Sequence, residues 1–595
     1  MNTVVPPPNA PSPLRRLLTH YAWRYRWSYL AGGLFLVLTN WLTVSIPGEI
    51  GGAIDALRSD ASVGGFVAAI AAMGLGIIVV RSLSRILIFN PGRDLEYELR
   101  KDLFDHLLRL QPSFFATKKR GDIVSRAAND ITWVRTLVGY GGLQIVNVTL
   151  AVGLTGWKML ALSPRLTVLV LLPIVVGMAV VQWAIRRLFA LSRRNQEQLG
   201  EISEHVLGSL QGMAAIQGFV AERAFIERFE ARNREWLATG MKLAVIRAGA
   251  LPLLVLAGGI AMVVLIAVGG PMVFAGSLTV GDLAAFSALL TVFLPPLRSL
   301  GWMLSVIQRG RAALERIFEL LDAPVDRPEG DEGDVLPAGR GPKIVVRGMD
   351  FAYPDEPGNL VLQDLSLTIP AGAVVGIFGR TGSGKSTLLR VLARLYNPPP
   401  GTVFVDGVDL LTLDLGHWRE RLAVAPQRPF LFSDSIAANI GLDAAADGDR
   451  VSRSVNAAAL DPDLEALPEG LGTVVGERGI MLSGGQRQRV ALARALYRSG
   501  DLLILDDVLS AVDHSTEAHL VETVAGLARR DSSPTVIIAS HRQSALRHCE
   551  QVFVLERGRL VDSGSHRELV KRPGPYRDSW LIQSQRAAAA KEAAS

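Results

Sequence analysis

Long apolar stretches dominate the first half of the chain, and a different pattern replaces them after about residue 343. Six of these stretches can each supply the about 20 mainly apolar residues that a helix needs to cross a bilayer. The predicted spans cover about 29–53, 63–88, 138–161, 166–188, 247–270 and 282–307. Because backbone polar groups must be satisfied internally in lipid, we expect each span to be an α-helix.

Composition agrees with a chain that lies partly in lipid. Hydrophobic residues make up 49% of the 595 residues, charged residues 20%, and the mean hydropathy is +0.28. These values exclude an intrinsically disordered protein, and the single cysteine, Cys549, excludes a disulfide scaffold. The net charge of +6 does not indicate nucleic acid, because basic loops beside a membrane account for it equally well.

Basic residues concentrate in two long segments between spans and predict the orientation of the chain. One segment follows span two and the other follows span four, whereas the remaining connections are short and nearly uncharged. By the positive-inside rule, both long segments and both termini face the cytoplasm of a multi-pass protein of the cell membrane. The basic residues of the two segments are Arg93, Arg100, Lys101, Arg109, Lys118, Lys119, Arg120 and Arg126, then Arg193, Arg194, Arg223, Arg228, Arg232 and Arg234.

The two basic segments also show helical spacing of apolar residues, at 98–110 and 198–219. We therefore expect spanning helices to continue well past the bilayer. A stretch rich in proline, glycine and acidic residues then separates the apolar half from a soluble α/β pattern. The predicted organisation is an N-terminal tail with an interfacial elbow helix (1–28), a transmembrane domain (29–321), a linker (322–343), a soluble α/β domain (344–583) and a C-terminal tail (584–595).

The clearest chemical motif is GRTGSGKST at 379–387, which follows the β-like run AVVGIF and precedes the helical run STLLRVLARL. This strand–loop–helix context is typical of a phosphate-binding loop, whose glycines let backbone N–H groups point at phosphate oxygens. Lys385 supplies a charge for the β- and γ-phosphates, and Ser386 offers a hydroxyl to Mg²⁺. The predicted ATP-binding residues of the loop are Gly379, Arg380, Thr381, Gly382, Ser383, Gly384, Lys385, Ser386 and Thr387.

A second strand ends in two carboxylates, in the run LLILDD at 502–507. Asp506 lies at the carboxyl end of a buried parallel strand, where it can hold Mg²⁺. Asp507 follows at a position that suits a carboxylate orienting the attacking water in an ATPase.

Further segments resemble, in order, the motifs of an ATP-binding cassette (ABC). Tyr353 resembles the aromatic residue that stacks on adenine, and Gln427 resembles the glutamine that senses the γ-phosphate. The segment 476–479 resembles an exporter-specific loop, 510–513 resembles a dimer-contacting loop, and His541 resembles the switch histidine. The run LSGGQ resembles the family signature, and its residues are Leu482, Ser483, Gly484, Gly485 and Gln486.

The chain thus resembles an exporter-type ABC half-transporter of the multidrug-resistance-like kind, from about residue 13 to 583. Regions 107–131 and 212–229 look like its two coupling regions. The resemblance implies a six-span α-helical transmembrane domain followed by an α/β P-loop nucleotide-binding domain, with ATP and Mg²⁺ as cofactors. It implies that Asp507, His541 and Gln427 are catalytic, that Ser386, Gln427 and Asp506 hold the metal, and that the signature binds ATP held by a partner cassette.

One position departs from the family pattern. Active members usually carry Glu where this chain has Asp507, and the Asp carboxylate sits roughly 1.5 Å further back, about one C–C bond. We therefore expect slow hydrolysis at the chain's own site and a second, catalytically competent half-transporter as heterodimer partner. A homodimer that works adequately with Asp remains an alternative.

The expected function is ATP-driven export of an amphipathic compound, a lipid or a peptide by alternating access. Import of a metal chelate by the same fold and a regulatory role without transport remain open as alternatives. The expected partners are a second ABC half-transporter, membrane lipid and a small-molecule or lipid substrate, and no nucleic acid. The substrate itself is not specified by any motif.

Overall fold

The computed structural model describes residues 12–325, 339–442, 447–476, 480–508, 519–520, 522–524, 526 and 533–594, and the chain forms two compact units. The first unit runs to Leu107 and resumes at Gly121–Ala323, and the second contains Leu108–Arg120 and the chain from Pro324 onward. Most of the predicted linker, the greater part of the exporter-specific loop and the whole of 510–513 lie outside the described residues.

Six long helices of the described chain are apolar enough to cross a membrane, which confirms the predicted six-span helical fold. Short helical turns precede the first of them at Pro13–Arg16, Leu17–Tyr21 and Ala22–Tyr25, and short helices connect others at Pro112–Thr117 and Met213–Gly218. The long helices are α1 (Arg26–Arg58), α2 (Gly64–Arg109), α3 (Arg120–Leu162), α4 (Pro164–Gln211), α5 (Glu222–Phe274) and α6 (Val280–Leu321).

Five of these helices are much longer than a bilayer is thick. Helices α2, α3, α4, α5 and α6 have 46, 43, 48, 53 and 42 residues. Even a helix of 42 residues is about 63 Å long, whereas the hydrocarbon core measures about 30 Å. The helices must therefore continue beyond the lipid.

A charged network joins α3 to the last turns of α6. Arg316 binds both carboxylate oxygens of Asp130, at 2.6 and 2.7 Å, and Arg126 pairs with Asp122 and Glu319 at 2.8 Å. Asp130 and Arg126 are both buried. Removing one partner of such a pair leaves a buried charge uncompensated, so the network stabilises the α3–α6 packing only while it is complete.

The second unit contains two sheets among its described residues. A smaller antiparallel sheet has the order β2-β1-β4-β5, and a larger one has the order β10-β9-β3-β8-β7-β6, parallel except for the edge strand β10. The strands are β1 (Ile344–Ala352), β2 (Leu360–Ile369), β3 (Val374–Phe378), β4 (Val403–Val405), β5 (Val408–Asp409), β6 (Leu422–Ala425), β7 (Leu502–Asp506), β8 (Thr535–Ser540), β9 (Gln551–Glu556) and β10 (Arg559–Gly564).

Helices cover the parallel sheet, and two apolar clusters form the core of this unit. Short 3₁₀ turns lie at Gly470–Gly472 and Ser544–Leu546. The described helices are α7 (Lys385–Leu392), α8 (Leu415–Glu420), α9 (Ile436–Gly441), α10 (Gly448–Ala457), α11 (Asp461–Glu465), α12 (Gly484–Arg498), α13 (His566–Lys571) and α14 (Pro575–Ala594).

Strand register positions the functional residues. In the parallel pairs, Phe378 of β3 lies opposite Ser540 of β8, and Asp506 of β7 lies opposite Ala539. The residues that follow these strands therefore emerge at one edge of the sheet. In parallel α/β sheets this carboxyl edge is where ligands bind.

Candidate active site

The loop after β3 has a backbone that only glycine accommodates easily. Gly382 and Gly384 have φ values of +83° and +98°, in the left-handed region. A Cβ on Gly384 would lie 2.7 Å from Leu362 Cδ2, and one on Gly379 would lie 2.5 Å from the Leu555 carbonyl oxygen. The loop is therefore folded tightly against neighbouring strands, with exposed Arg380 and Thr381 at its outer side.

Lys385 begins helix α7 and bends back over the loop. Its ammonium donates hydrogen bonds to the carbonyl oxygens of Gly379, at 2.5 Å, and Arg380, at 3.1 Å. Burial lowers the pKa of Lys385, although the nearby carboxylates of Asp507 and Asp506 oppose that shift. A partly desolvated ammonium held over the loop is suited to pairing with a phosphate anion.

Ser386 and Asp506 form the next contact of the site. The Ser386 hydroxyl donates to Asp506 Oδ1 at 2.9 Å, so the phosphate loop and β7 meet through one hydrogen bond. Burial raises the pKa of Asp506, since the charged form loses its hydration. A hydroxyl beside a buried carboxylate is the ligand set of a hard cation such as Mg²⁺.

Asp507 brings the three predicted catalytic residues together. Its carboxylate oxygens lie 3.0 and 3.2 Å from His541 Nδ1, and Gln427 Nε2 donates to Oδ2 at 3.4 Å. Its backbone has φ +52°, a conformation that Asp tolerates better than most residues, and its N–H donates to the Ala539 carbonyl at 2.8 Å. The carboxylate is thus aimed between the histidine and the glutamine.

Tyr353 lies against the same loop. Its hydroxyl is 2.9 Å from Thr387 Oγ1, and Arg390 donates to that hydroxyl at 3.3 Å. The ring of Tyr396 meets it edge to face at 4.9 Å. These contacts fix a half-buried aromatic ring next to helix α7.

The signature segment, residues 482–486, starts helix α12 with a reciprocal cap. Ser483 Oγ accepts from the Gln486 N–H at 3.2 Å, and Gln486 Oε1 accepts from the Ser483 N–H at 2.8 Å. Leu482 is buried, whereas Ser483 and Gly484 are exposed, and no heavy atom lies within 4 Å of a Cβ built on Gly484. Within the described part of the chain, the hydrogen bonds of this segment do not reach the phosphate loop.

Sequence reasoning missed a contact between the signature helix and the loop of Gln427. Gln488 Nε2 donates to the Gln427 carbonyl at 3.3 Å. A cavity of about 560 Å³ lies beside this contact and is lined in part by Phe430 and Met481, which are 67% and 76% exposed. Gln488 carries no motif of its own, so only the packing of α12 against this loop reveals it.

Comparison with known proteins identifies the architecture. The sequence matches the family "ABC transporter transmembrane region" over residues 29–297 and the family "ABC transporter" over residues 362–510. It is 34% identical to the multidrug resistance-like ATP-binding protein MdlA of Escherichia coli, over 96% of this chain and 98% of that protein. It is also 34% identical to an ATP-dependent lipid A-core flippase of Alkalilimnicola ehrlichii, over 83% of each chain.

A solved structure supports the same assignment. A bacterial Atm1-family ABC exporter with ATP bound matches with a TM-score of 0.76 and 26% identity, over 94% of this chain and 98% of that one. The predicted resemblance and fold class are confirmed. The chain belongs to the ABC transporter family, as a multi-pass exporter-type protein in which six membrane helices precede an ATPase domain coupled to transport.

Proposed function

We propose that the chain is one subunit of a heterodimeric exporter that moves amphipathic compounds by alternating access. Two ATP molecules are bound between the nucleotide-binding domains of two subunits, and the site built on this chain's phosphate loop hydrolyses slowly. The observation that carries the proposal is Asp507, which stands where active members of the family usually have Glu and whose carboxylate contacts both His541 and Gln427.

The residues around the phosphate loop fit ATP with Mg²⁺. The Ser383 hydroxyl is buried without a hydrogen-bond partner among the described residues, between Gly382 and Gly384, whose φ values are positive. Ser386 and Asp506 would hold the metal with Gln427 nearby, and Lys385 would exchange its bonds to loop carbonyls for phosphate oxygens. Mg²⁺, when bound, supplies positive charge that neutralises the phosphates during transfer.

Asp507 supports slow turnover at this site. The carboxylate that orients the attacking water must lie within hydrogen-bond reach of it, and a misplacement near 1 Å costs about 100-fold in rate. Asp507 is one methylene shorter than Glu, and its carboxylate is already engaged by His541 and Gln427. ATP therefore binds at this site and mainly holds the dimer together.

The signature segment supports a second, faster site. The exposed amino terminus of α12 offers a positive dipole end and the N–H groups of Gly484 and Gly485, which the Ser483–Gln486 cap does not use, and together these attract a phosphate. Ser483 and Gly484 would complete a site whose phosphate loop and catalytic Glu belong to the partner.

Exposed apolar surfaces in both units support assembly with a partner. Phe219, after the short helix Met213–Gly218, is 86% exposed, and Phe430 and Met481 are exposed beside the cavity near Gln427. Side chains this exposed are available for contacts with another chain. We propose that ATP binding brings the two nucleotide-binding domains together and that the coupling regions near 114 and 212 transmit this movement to the membrane helices. The nucleotide-binding domains and both termini lie in the cytoplasm in this proposal.

The substrate class rests on the relatives, two of which are named for multidrug resistance or for flipping lipid A-core. Compounds of both kinds combine apolar and polar parts. An amphipathic substrate is therefore the class that fits a six-span membrane domain of this family best.

The test is ATP turnover by two preparations of the full-length chain in lipid nanodiscs. One is the chain purified alone, and the other is the complex that a tag on this chain isolates from its native membrane. We expect the complex to turn over at least about tenfold faster per ATP site. Equal, fast turnover by the chain alone would overturn the heterodimer proposal and leave a working homodimer.

A further inference from the structure

The C-terminal helix α14 reaches the loop that carries His541. The side-chain amide of Gln583 donates through Nε2 to the His541 carbonyl oxygen at 3.0 Å, and its Oε1 accepts from the Gln543 N–H at 3.2 Å. One amide group thus binds the backbone on both sides of Arg542. It supplies one donor and one acceptor, so it matches the two backbone groups in polarity as well as in position.

The His541 side chain has little support of its own, although the neighbouring Arg542 N–H donates to Ser540 Oγ at 3.0 Å. The His541 side chain is 48% exposed, and its described side-chain contact is the one with Asp507. The ring's position is therefore set by the backbone of residues 541–543 more than by packing. A hydrogen bond that fixes this backbone fixes the distance between His541 and the site.

Helix α14 is itself anchored beneath the phosphate loop. Tyr576 lies seven residues before Gln583, two turns earlier and on the same helix face. Its buried ring packs edge to face on Phe378, at 4.8 Å, and Phe378 directly precedes Gly379. Gln543 is fully buried and donates through Nε2 to the Tyr576 carbonyl at 2.5 Å. The helix therefore spans from the base of the phosphate loop to the His541 loop.

We propose that Gln583 is a positioning residue for ATP hydrolysis, which holds the His541 loop at a fixed distance from the phosphate loop. It touches no substrate and acts through the backbone on either side of Arg542. The proposal rests on the catalytic role proposed for His541. It does not depend on whether the working transporter is a heterodimer or a homodimer. Loss of Gln583 misplaces a catalytic side chain and leaves the ATP-binding contacts of Tyr353 and Lys385 unchanged.

The experiment compares variants of the full-length chain in nanodiscs, purified alone, in both the wild-type and the Asp507→Glu background. Gln583→Ala and Gln583→Met remove both hydrogen bonds, and Met keeps the length of the side chain. Gln585→Ala is the matched control, because Gln585 lies two residues away on the same helix and is exposed. Steady-state ATP turnover gives kcat and KM. Hydrogen exchange gives the exchange rate of the Gln543 backbone amide, which bonds to Gln583.

In whichever background turns over, we expect both Gln583 variants to lower kcat by about tenfold or more with KM for ATP within about twofold. Gln583→Glu, which keeps the acceptor for the Gln543 N–H, should retain more activity than Gln583→Met. The Gln543 amide should exchange faster in the Ala and Met variants and not in Gln585→Ala. The hydrogen-exchange arm needs no turnover, so it separates this proposal from the one on Asp507.

Wild-type kcat in Gln583→Met would overturn the proposal, and so would an unchanged exchange rate of the Gln543 amide. An equal fall in kcat for Gln585→Ala would also overturn it, because the effect would then belong to the helix as a whole. A rise in KM matching the fall in kcat would assign Gln583 to ATP binding instead of positioning.

Discussion

The phosphate loop and the signature segment belong to one folded unit but differ in how they are held. The phosphate loop is enclosed: Lys385 binds its own loop, and the Ser386 hydroxyl is bonded to Asp506. The signature segment is open, with exposed Ser483 and Gly484 at the start of α12 and free space around Gly484. An enclosed site is suited to holding a ligand, and an open helix terminus is suited to meeting one that another chain presents.

The comparison of these two regions also separates Asp507 from the signature residues. Asp507, the predicted departure from the family pattern, lies on the enclosed side, whereas the LSGGQ run lies on the open side and matches the predicted signature. The two sides of one chain therefore serve different ATP molecules in the proposed dimer. Substitutions on the open side should disable the fast site, and substitutions on the enclosed side should change only the slow one.

The largest effect is expected from Gly484→Asp in the complex isolated from native membranes. A Cβ at this position meets no atom, and an acidic residue in the first turn stabilises a helix, so the domain should fold. In the proposed dimer the new carboxylate repels the partner-held phosphate, so turnover should fall by about 100-fold or more. The measurement is ATP hydrolysis at saturating ATP.

Gly448→Asp provides the matched control for that substitution. Gly448 is also the first residue of a helix, α10, is also exposed, and also has open space around its missing Cβ. It should leave turnover within about twofold of wild type. Equal losses in the two variants, or none in Gly484→Asp, would contradict the role given to the signature segment.

A smaller effect, in the opposite direction, is expected from Asp507→Glu in the chain purified alone. The longer side chain moves the carboxylate towards the attacking water, and turnover should rise by about 10- to 100-fold. The left-handed backbone at this position tolerates Glu less well than Asp, so the melting temperature should fall slightly. Adding His541→Ala to Asp507→Glu should remove the gain in turnover. If Asp507→Glu gives no gain in turnover, Asp507 is not what limits hydrolysis at this site.

Much of the fold follows from local patterns in the sequence, because long apolar runs and strand–loop–helix motifs depend on near neighbours. The six spans and the fold class are confirmed. The contacts of Ser386 with Asp506 and of His541 with Asp507 connect residues that the sequence had already singled out, although their catalytic roles remain predictions.

Other features depend on residues far apart and carried no local signal. Gln583 is an ordinary helix residue in the sequence, and only the packing of α14 brings it to the His541 loop. The two π-helical turns of α3, Arg126–Asp130 and Leu137–Gly141, are not predicted from the sequence either. Such turns are rare, and no residue motif marks them, so pattern reasoning passes over them.

The smallest effect is expected from Asp507→Asn in the native complex, and this makes it the sharpest test of the comparison. Asn matches Asp in size and also tolerates the left-handed backbone, so the fold should be unaffected. Since the partner's site carries the turnover in the proposed dimer, ATP hydrolysis should change by less than about threefold. The same substitution in the chain alone should abolish what slow hydrolysis remains, which shows that Asn is inert at this position. A fall in ATP turnover of more than about tenfold in the complex would place fast hydrolysis at this chain's own phosphate loop. The assignment of slow hydrolysis to the enclosed side and fast hydrolysis to the open side would then be wrong.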